Sequence, residues 1–131
     1  MLYALLCFNS EAAVTSWTAE EDAAVMARLD VVHARLAAEG KLGPAARLAP
    51  TARAKVMHKG TNGALVTDGP YAETKEQMLG FYLVDVADEG EALAVARDLE
   101  AANPGVGGYE LRPITLFEPG AGAWARRSEP A

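Results

Sequence analysis

The sequence predicts an α+β domain, and three observations carry that prediction. Two segments, Thr18 to Gly40 and Asp88 to Asn103, combine capping residues with helical periodicity. Short apolar runs of strand length lie before, between and after them. The chain has 131 residues, half of them apolar, which suits one domain with one buried core.

Leu2 to Phe8 is apolar, is closed by Asn9-Ser10 and reads as the first strand. It lacks the basic start of a signal peptide and ends too soon for one. A linker follows. Thr18-Ala-Glu-Glu21 has capping-box spacing, in which the threonine hydroxyl accepts from the N3 amide and Glu21 reaches back to the N-cap amide. Val25, Leu29, Val32 and Leu36 then recur at helical spacing, and Gly40 supplies a stop. Pro44 and Pro50 limit Leu42 to Leu48 to a short or edge strand. Ala52 to His58 and Ala64 to Thr67, joined through Gly60-Thr-Asn-Gly63, read as a hairpin, which Asp68-Gly-Pro70 breaks. Leu79 to Val86 is a strongly apolar strand. Asp88-Glu-Gly-Glu91 repeats the capping-box pattern ahead of a helix with Leu93, Ala96 and Leu99 on one face, ended by Asn103-Pro104-Gly105. Tyr109 to Phe117 is the last strand, with Pro113 marking an edge or a bulge. The domain is therefore expected over 1–118, with 119–131 a loosely held tail.

This order matches a ferredoxin-like βαββαβ plan with an extra hairpin strand. Two helices cover only one face of such a sheet. The first strand nevertheless carries Leu2, Ala4, Leu6 and Phe8 on one side and Tyr3, Leu5 and Cys7 on the other, and Leu79 to Val86 is also apolar on both. A second cover is needed. A partner sheet in a homodimer is the economical one, and loops folded over the open face are the alternative. A charge at Leu5 or Tyr82 is expected to break the dimer if that side chain faces the partner.

The net charge of −6 and the lack of any Lys/Arg cluster longer than a pair argue against a nucleic-acid partner. Cys7 is the only cysteine, so no internal disulfide and no thiolate metal cluster is possible within one chain. That fits a reducing, cytoplasmic setting. No apolar stretch approaches bilayer length, so no membrane partner is expected. His33 and His58 have no metal-ligand spacing with each other or with Cys7. Phosphate-binding glycine loops, nucleophile elbows and HExxH are absent, and no cofactor is expected. Trp17 and Trp124 are expected to pack against the domain or the dimer, and Cys7 to be inert core.

The most distinctive stretch is Val66-Thr-Asp-Gly-Pro-Tyr-Ala-Glu-Thr-Lys-Glu76, followed by Leu79-Gly-Phe-Tyr82. It resembles the signature of the DGPF subgroup of the YCII-related family, with Tyr71 in place of the usual phenylalanine. More loosely, the resemblance runs from the first strand to Glu110-Leu-Arg-Pro113. It implies a dimeric α+β barrel and a cleft between sheet and loops, and for some members a gene beside an extracytoplasmic-function sigma factor. Members of the wider family carry a helical His and an Asp in an Asp-Pro pair after the second helix. Here His33 sits about one turn from the aligned position, and the pair reads Asn103-Pro104. Asparagine cannot take a proton, so the resemblance does not extend to that acid/base dyad.

Physically, Asp68 can brace an Asx-type turn, Gly69 tolerates unusual φ, and Pro70 fixes its own. A turn brace is one reading. The other is a bend that presents Asp68, Tyr71, Glu73, Lys75 and Glu76 to a cleft beside Tyr82. His33, next to the apolar stripe of its helix, reads as a partly buried structural residue or as a base. Two functions follow from these residues. One is a small-molecule-binding or regulatory homodimer with Asp68, Tyr71, Glu73, Lys75 and Tyr82 at the ligand. The other is a cofactor-free lyase or isomerase acting on a small carboxylated or enolisable substrate, with Asp68 or His33 as base and Lys75 on an oxyanion. The second expects Asp68 and at least one of His33, Tyr82 or Lys75 in one pocket.

Overall fold

The computed structural model describes residues 1–60 and 62–122. Six strands and three helices follow in the order β1 (Leu2–Ser10), α1 (Glu11–Thr15), α2 (Ala19–Ala38), β2 (Leu42–Arg47), β3 (Lys55–His58), β4 (Leu65–Asp68), β5 (Glu76–Asp85), α3 (Glu89–Ala102) and β6 (Gly108–Pro113). The main sheet is antiparallel with strand order β2-β5-β1-β6, the ferredoxin-like arrangement.

Capping starts both long helices where the sequence places them. Thr18 Oγ1 accepts from the Glu21 amide at 3.0 Å, and the Glu21 carboxylate accepts from the Thr18 amide at 3.3 Å, completing the box. At α3, Asp88 accepts from the Glu91 amide at 2.9 Å, but Glu91 reaches past the cap to the Ala87 amide at 3.2 Å. The apolar stripe of α2 buries Val25, Leu29 and Leu36, with Val32 partly buried beside them. On α3 the inner face is Ala92, Val95, Ala96, Leu99 and Ala102. Leu93, expected on that face, is 40% exposed. Both stripes meet Tyr3, Leu5 and Val84 from one face of the sheet.

Four expectations are corrected. The linker after β1 is a short helix, α1, because Ser10 caps it by accepting from the Ala13 amide at 3.2 Å. The last strand stops at Pro113, because its partner β1 begins at Leu2; the Ile114 amide still donates to the Leu2 carbonyl at 2.9 Å. The extra hairpin, β3 with β4, adds no strand to the main sheet and forms a separate two-stranded ribbon. Leu5 and Tyr82, cross-strand partners, both lie on the helix side of the sheet, so neither faces the open side. That side carries Leu2, Ala4, Leu6 and Phe8 with Phe81 and Leu83, all half-buried. Of the expected tail, 123–131, including Trp124, lies outside the described residues.

Two devices shape the end of the sheet under the first half of α2. The β1/β5 register slips between Cys7 and Phe8, leaving Leu79 as the extra residue of a bulge. Gly80 stands opposite Cys7, where a Cβ would come 2.5 Å from the Ala46 carbonyl oxygen. Gly107, at φ +114°, passes so close to β1 that a Cβ would lie 2.1 Å from the Phe8 carbonyl oxygen. Nearby, the Glu11 carboxylate accepts from the Thr51 amide at 2.6 Å and from its hydroxyl, which ties α1 to the turn after β2. Those two hydrogen bonds hold the Glu11 carboxyl below the usual carboxylate range.

A candidate ligand cavity between helix α2 and the sheet

The small residues Cys7 and Gly80 leave the floor of this region unfilled, and a cavity of about 310 Å³ opens above them. Val25, Met26 and Leu29 of α2 form one wall, and Val14 and Trp17 form another. The chain from Gly105 to Gly108 closes the end. Apolar surface dominates, with a few polar groups set into it.

Chief among these is a pair that α2 and β5 bring together across the cavity. His33 Nε2 lies 2.7 Å from the Tyr82 hydroxyl, and the ring centroids are 5.3 Å apart. The other ring nitrogen, Nδ1, faces Asp30 at 4.0 Å. Burial, with Cys7 and Asp30 adding to it, pushes the Tyr82 phenol up to about 12, so it keeps its proton at neutral pH. With a neutral imidazole, Tyr82 O–H donates to Nε2, and Nδ1–H points toward the Asp30 carboxylate. The Tyr109 phenol also lines the cavity and is likewise raised by burial. Two more polar features complete the lining. Arg47 and Asp22 form an ion pair at 3.3 Å, and the Asn103 Oδ1 is buried with no hydrogen-bond partner among the described residues.

Burial pushes the Cys7 thiol from an ordinary 9.0 up to about 12. Since the thiolate is the reacting species, and a more basic thiolate is also more nucleophilic, modification of the native protein by a disulfide reagent at pH 8 should be at least about thirtyfold slower than that of a free thiol. Denaturant should remove the protection. Native reaction at the free-thiol rate would contradict it.

His33 and Tyr82 are thus the two sequence-derived candidates that the structure brings together. The remaining candidates lie elsewhere within the chain. Asp68 is exposed at the end of β4 and pairs with Lys55, not Lys75. Tyr71 is 84% exposed and stacks on His58 at 6.0 Å. Glu73, Lys75 and Glu76 are exposed, and none of these residues lines the cavity. In one chain, therefore, Asp68 does not converge with His33 and Tyr82, because β4 belongs to the separate ribbon and Tyr82 to the main sheet. The Gly69-Pro70 peptide of that bend is cis.

Sequence reasoning missed Tyr109 and the Asp22–Arg47 pair as site residues. Tyr109 carried no local signal, because its place opposite Cys7 is set by strand register. No local signal marks the Asp22–Arg47 pair, since its members are 25 residues apart. Among the described residues no cluster of three or more His, Cys, Asp or Glu is placed to hold a metal ion, and no helix is long and apolar enough to cross a membrane.

Comparison with known proteins places these features in context. The YCII-related domain matches residues 1–118. An uncharacterised protein of Rhizobium meliloti (strain 1021) is 52% identical over 120 residues, covering 92% of this chain and 97% of its own length.

Proposed function

This chain belongs to the YCII-related family, and on that premise we propose that it is a small-molecule-binding homodimer whose ligand enters the cavity between α2 and the sheet. One observation carries the reading. A hydrogen-bonded His33–Tyr82 pair is set into walls that are otherwise mainly apolar, and concave apolar sites with a few placed polar groups are the usual form of small-molecule pockets. Dimerisation is supported by the apolar open face of the sheet, opposite the helices. Membership of the DGPF subgroup, and a regulatory use beside sigma-factor-dependent transcription, rest on the resemblance of Val66 to Tyr82. A cytoplasmic setting fits the single thiol.

A library of small metabolites screened by thermal melting tests the binding. A ligand at a hundred times its dissociation constant adds about 2.7 kcal/mol. That corresponds to a rise of roughly 5–15 °C for a domain of this size. Met26→Trp, which fills the cavity from an exposed edge of α2, should abolish the rise while leaving the unliganded melt cooperative. Ligands that stabilise the variant as well as the parent would move the site elsewhere.

A second reading draws on the same pair. In it a substrate displaces the Tyr82 hydroxyl from Nε2, so that His33, with Nδ1–H toward Asp30, takes the substrate proton at Nε2, as a cofactor-free lyase or isomerase requires. His33, rather than Asp68, is then the base. Turnover that survives His33→Gln but is lost in Asp68→Ala would reverse that assignment.

A further inference from the structure

We infer that the cavity selects an uncharged, ring-sized molecule carrying an N–H or O–H donor, such as a phenol or an aromatic amine, and discriminates against carboxylates and phosphates; the inference rests on the cavity reading above. Size sets the first limit. A dry apolar cavity of about 150 Å³ admits benzene, so one of about 310 Å³ has room for a substituted ring.

Charge sets the second limit. Arg47 is the only Lys or Arg among the described lining residues, and Asp22 pairs with it at 3.3 Å. Glu100 adds a further carboxylate to the lining. Asp30 stands behind His33, whose Nε2 is engaged by Tyr82. The end of α3 reaches the same cavity at Asn103, with no basic residue in its last turn, and a helix C-terminus carries partial negative charge. Arg28, on α2, donates Nε–H to the Ala102 carbonyl at 2.9 Å and offsets part of that charge, but it is not among the residues that line the cavity. Among the described residues, an anion entering the cavity therefore finds no lining cation without a carboxylate partner, and it meets the carboxylates of Asp22 and Glu100. Desolvating it without compensation is unfavourable.

Hydrogen bonding sets the third. Asn103 lines the cavity, its Oδ1 is buried without a partner, and no side-chain hydrogen bond holds its carboxamide among the described residues. In this reading the carboxamide turns about its last side-chain bond, which breaks no side-chain hydrogen bond among the described residues, and presents Oδ1 to a ligand donor in the cavity. A buried carbonyl oxygen accepts only, so its complement is a ligand donor. The Tyr109 hydroxyl, protonated because burial raises its pKa, is available to donate in return to a ligand oxygen.

Three probes of matched shape separate these requirements: para-cresol, toluene and para-toluate, titrated against the intact protein by calorimetry. Para-cresol should bind about tenfold more tightly than toluene, the size of one net hydrogen bond. Para-toluate should bind most weakly. In Asn103→Ala the cresol advantage over toluene should shrink to less than threefold with toluene affinity unchanged. Para-toluate binding as tightly as para-cresol would overturn the inference while leaving the cavity intact as a site. So would equal affinities for cresol and toluene, or a cresol advantage unchanged in Asn103→Ala. If none of the three binds, the cavity reading itself fails, and the inference with it.

Discussion

Leu5→Asp is expected to leave no folded protein. Leu5 is fully buried between its β5 neighbour Tyr82 and its β6 neighbour Leu111, under the helices. Truncation alone, as Leu5→Ala, should cost about 2–5 kcal/mol through lost burial and a residual cavity. A carboxylate there has no buried cation to pair with, since no charged side chain is buried among the described residues. An unpaired buried charge costs several kcal/mol more, against a total stability of about 5–15 kcal/mol for a small domain. Circular dichroism and urea titration check both variants. A Leu5→Asp protein melting cooperatively near the parental temperature would remove Leu5 from the core.

One residue along the same strand, Leu6→Glu is expected to give a folded monomer. Leu6 points to the opposite side, where its neighbours across the strands are Phe81 and Glu110, and it is only half-buried within one chain. In a two-fold dimer built on this face the substitution enters twice. At about 3–5 kcal/mol for each uncompensated charge, the dissociation constant should rise by at least about a thousandfold. Sedimentation at micromolar concentration reads the assembly, and circular dichroism reads the fold. A parent protein that sediments as a monomer would dispose of the dimer, and a Leu6→Glu protein that stays dimeric would place the interface on another surface. The two adjacent substitutions are expected to differ in kind because a strand turns successive side chains to opposite faces.

The main elements were legible because their causes are local. Thr18 to Glu21 and Asp88 to Glu91 announce helix starts through contacts three residues apart, and Val25, Leu29 and Leu36 face one way because the helical repeat dictates it. The apolar content of Leu2 to Phe8 on both strand faces pointed to the second cover that the open face still calls for. The short helix α1 was less visible, since five residues carry too little periodicity to register.

Placement of the candidate site depended on tertiary structure. Asp68 and its neighbours stood out as a motif, yet pairing of β4 with β3 carried them onto a ribbon outside the main sheet. His33 and Tyr82 meet only because α2 packs across β5, joining residues 49 apart in the chain. The sequence by itself determined the order of the long elements and the need for one buried face, since both follow from short-range periodicity and capping. Only the tertiary structure decided which side of the sheet holds Leu5 and Tyr82, and that small residues at Cys7 and Gly80 leave a cavity beside them. Side-chain direction depends on strand register, and register is settled by pairings between residues far apart in sequence.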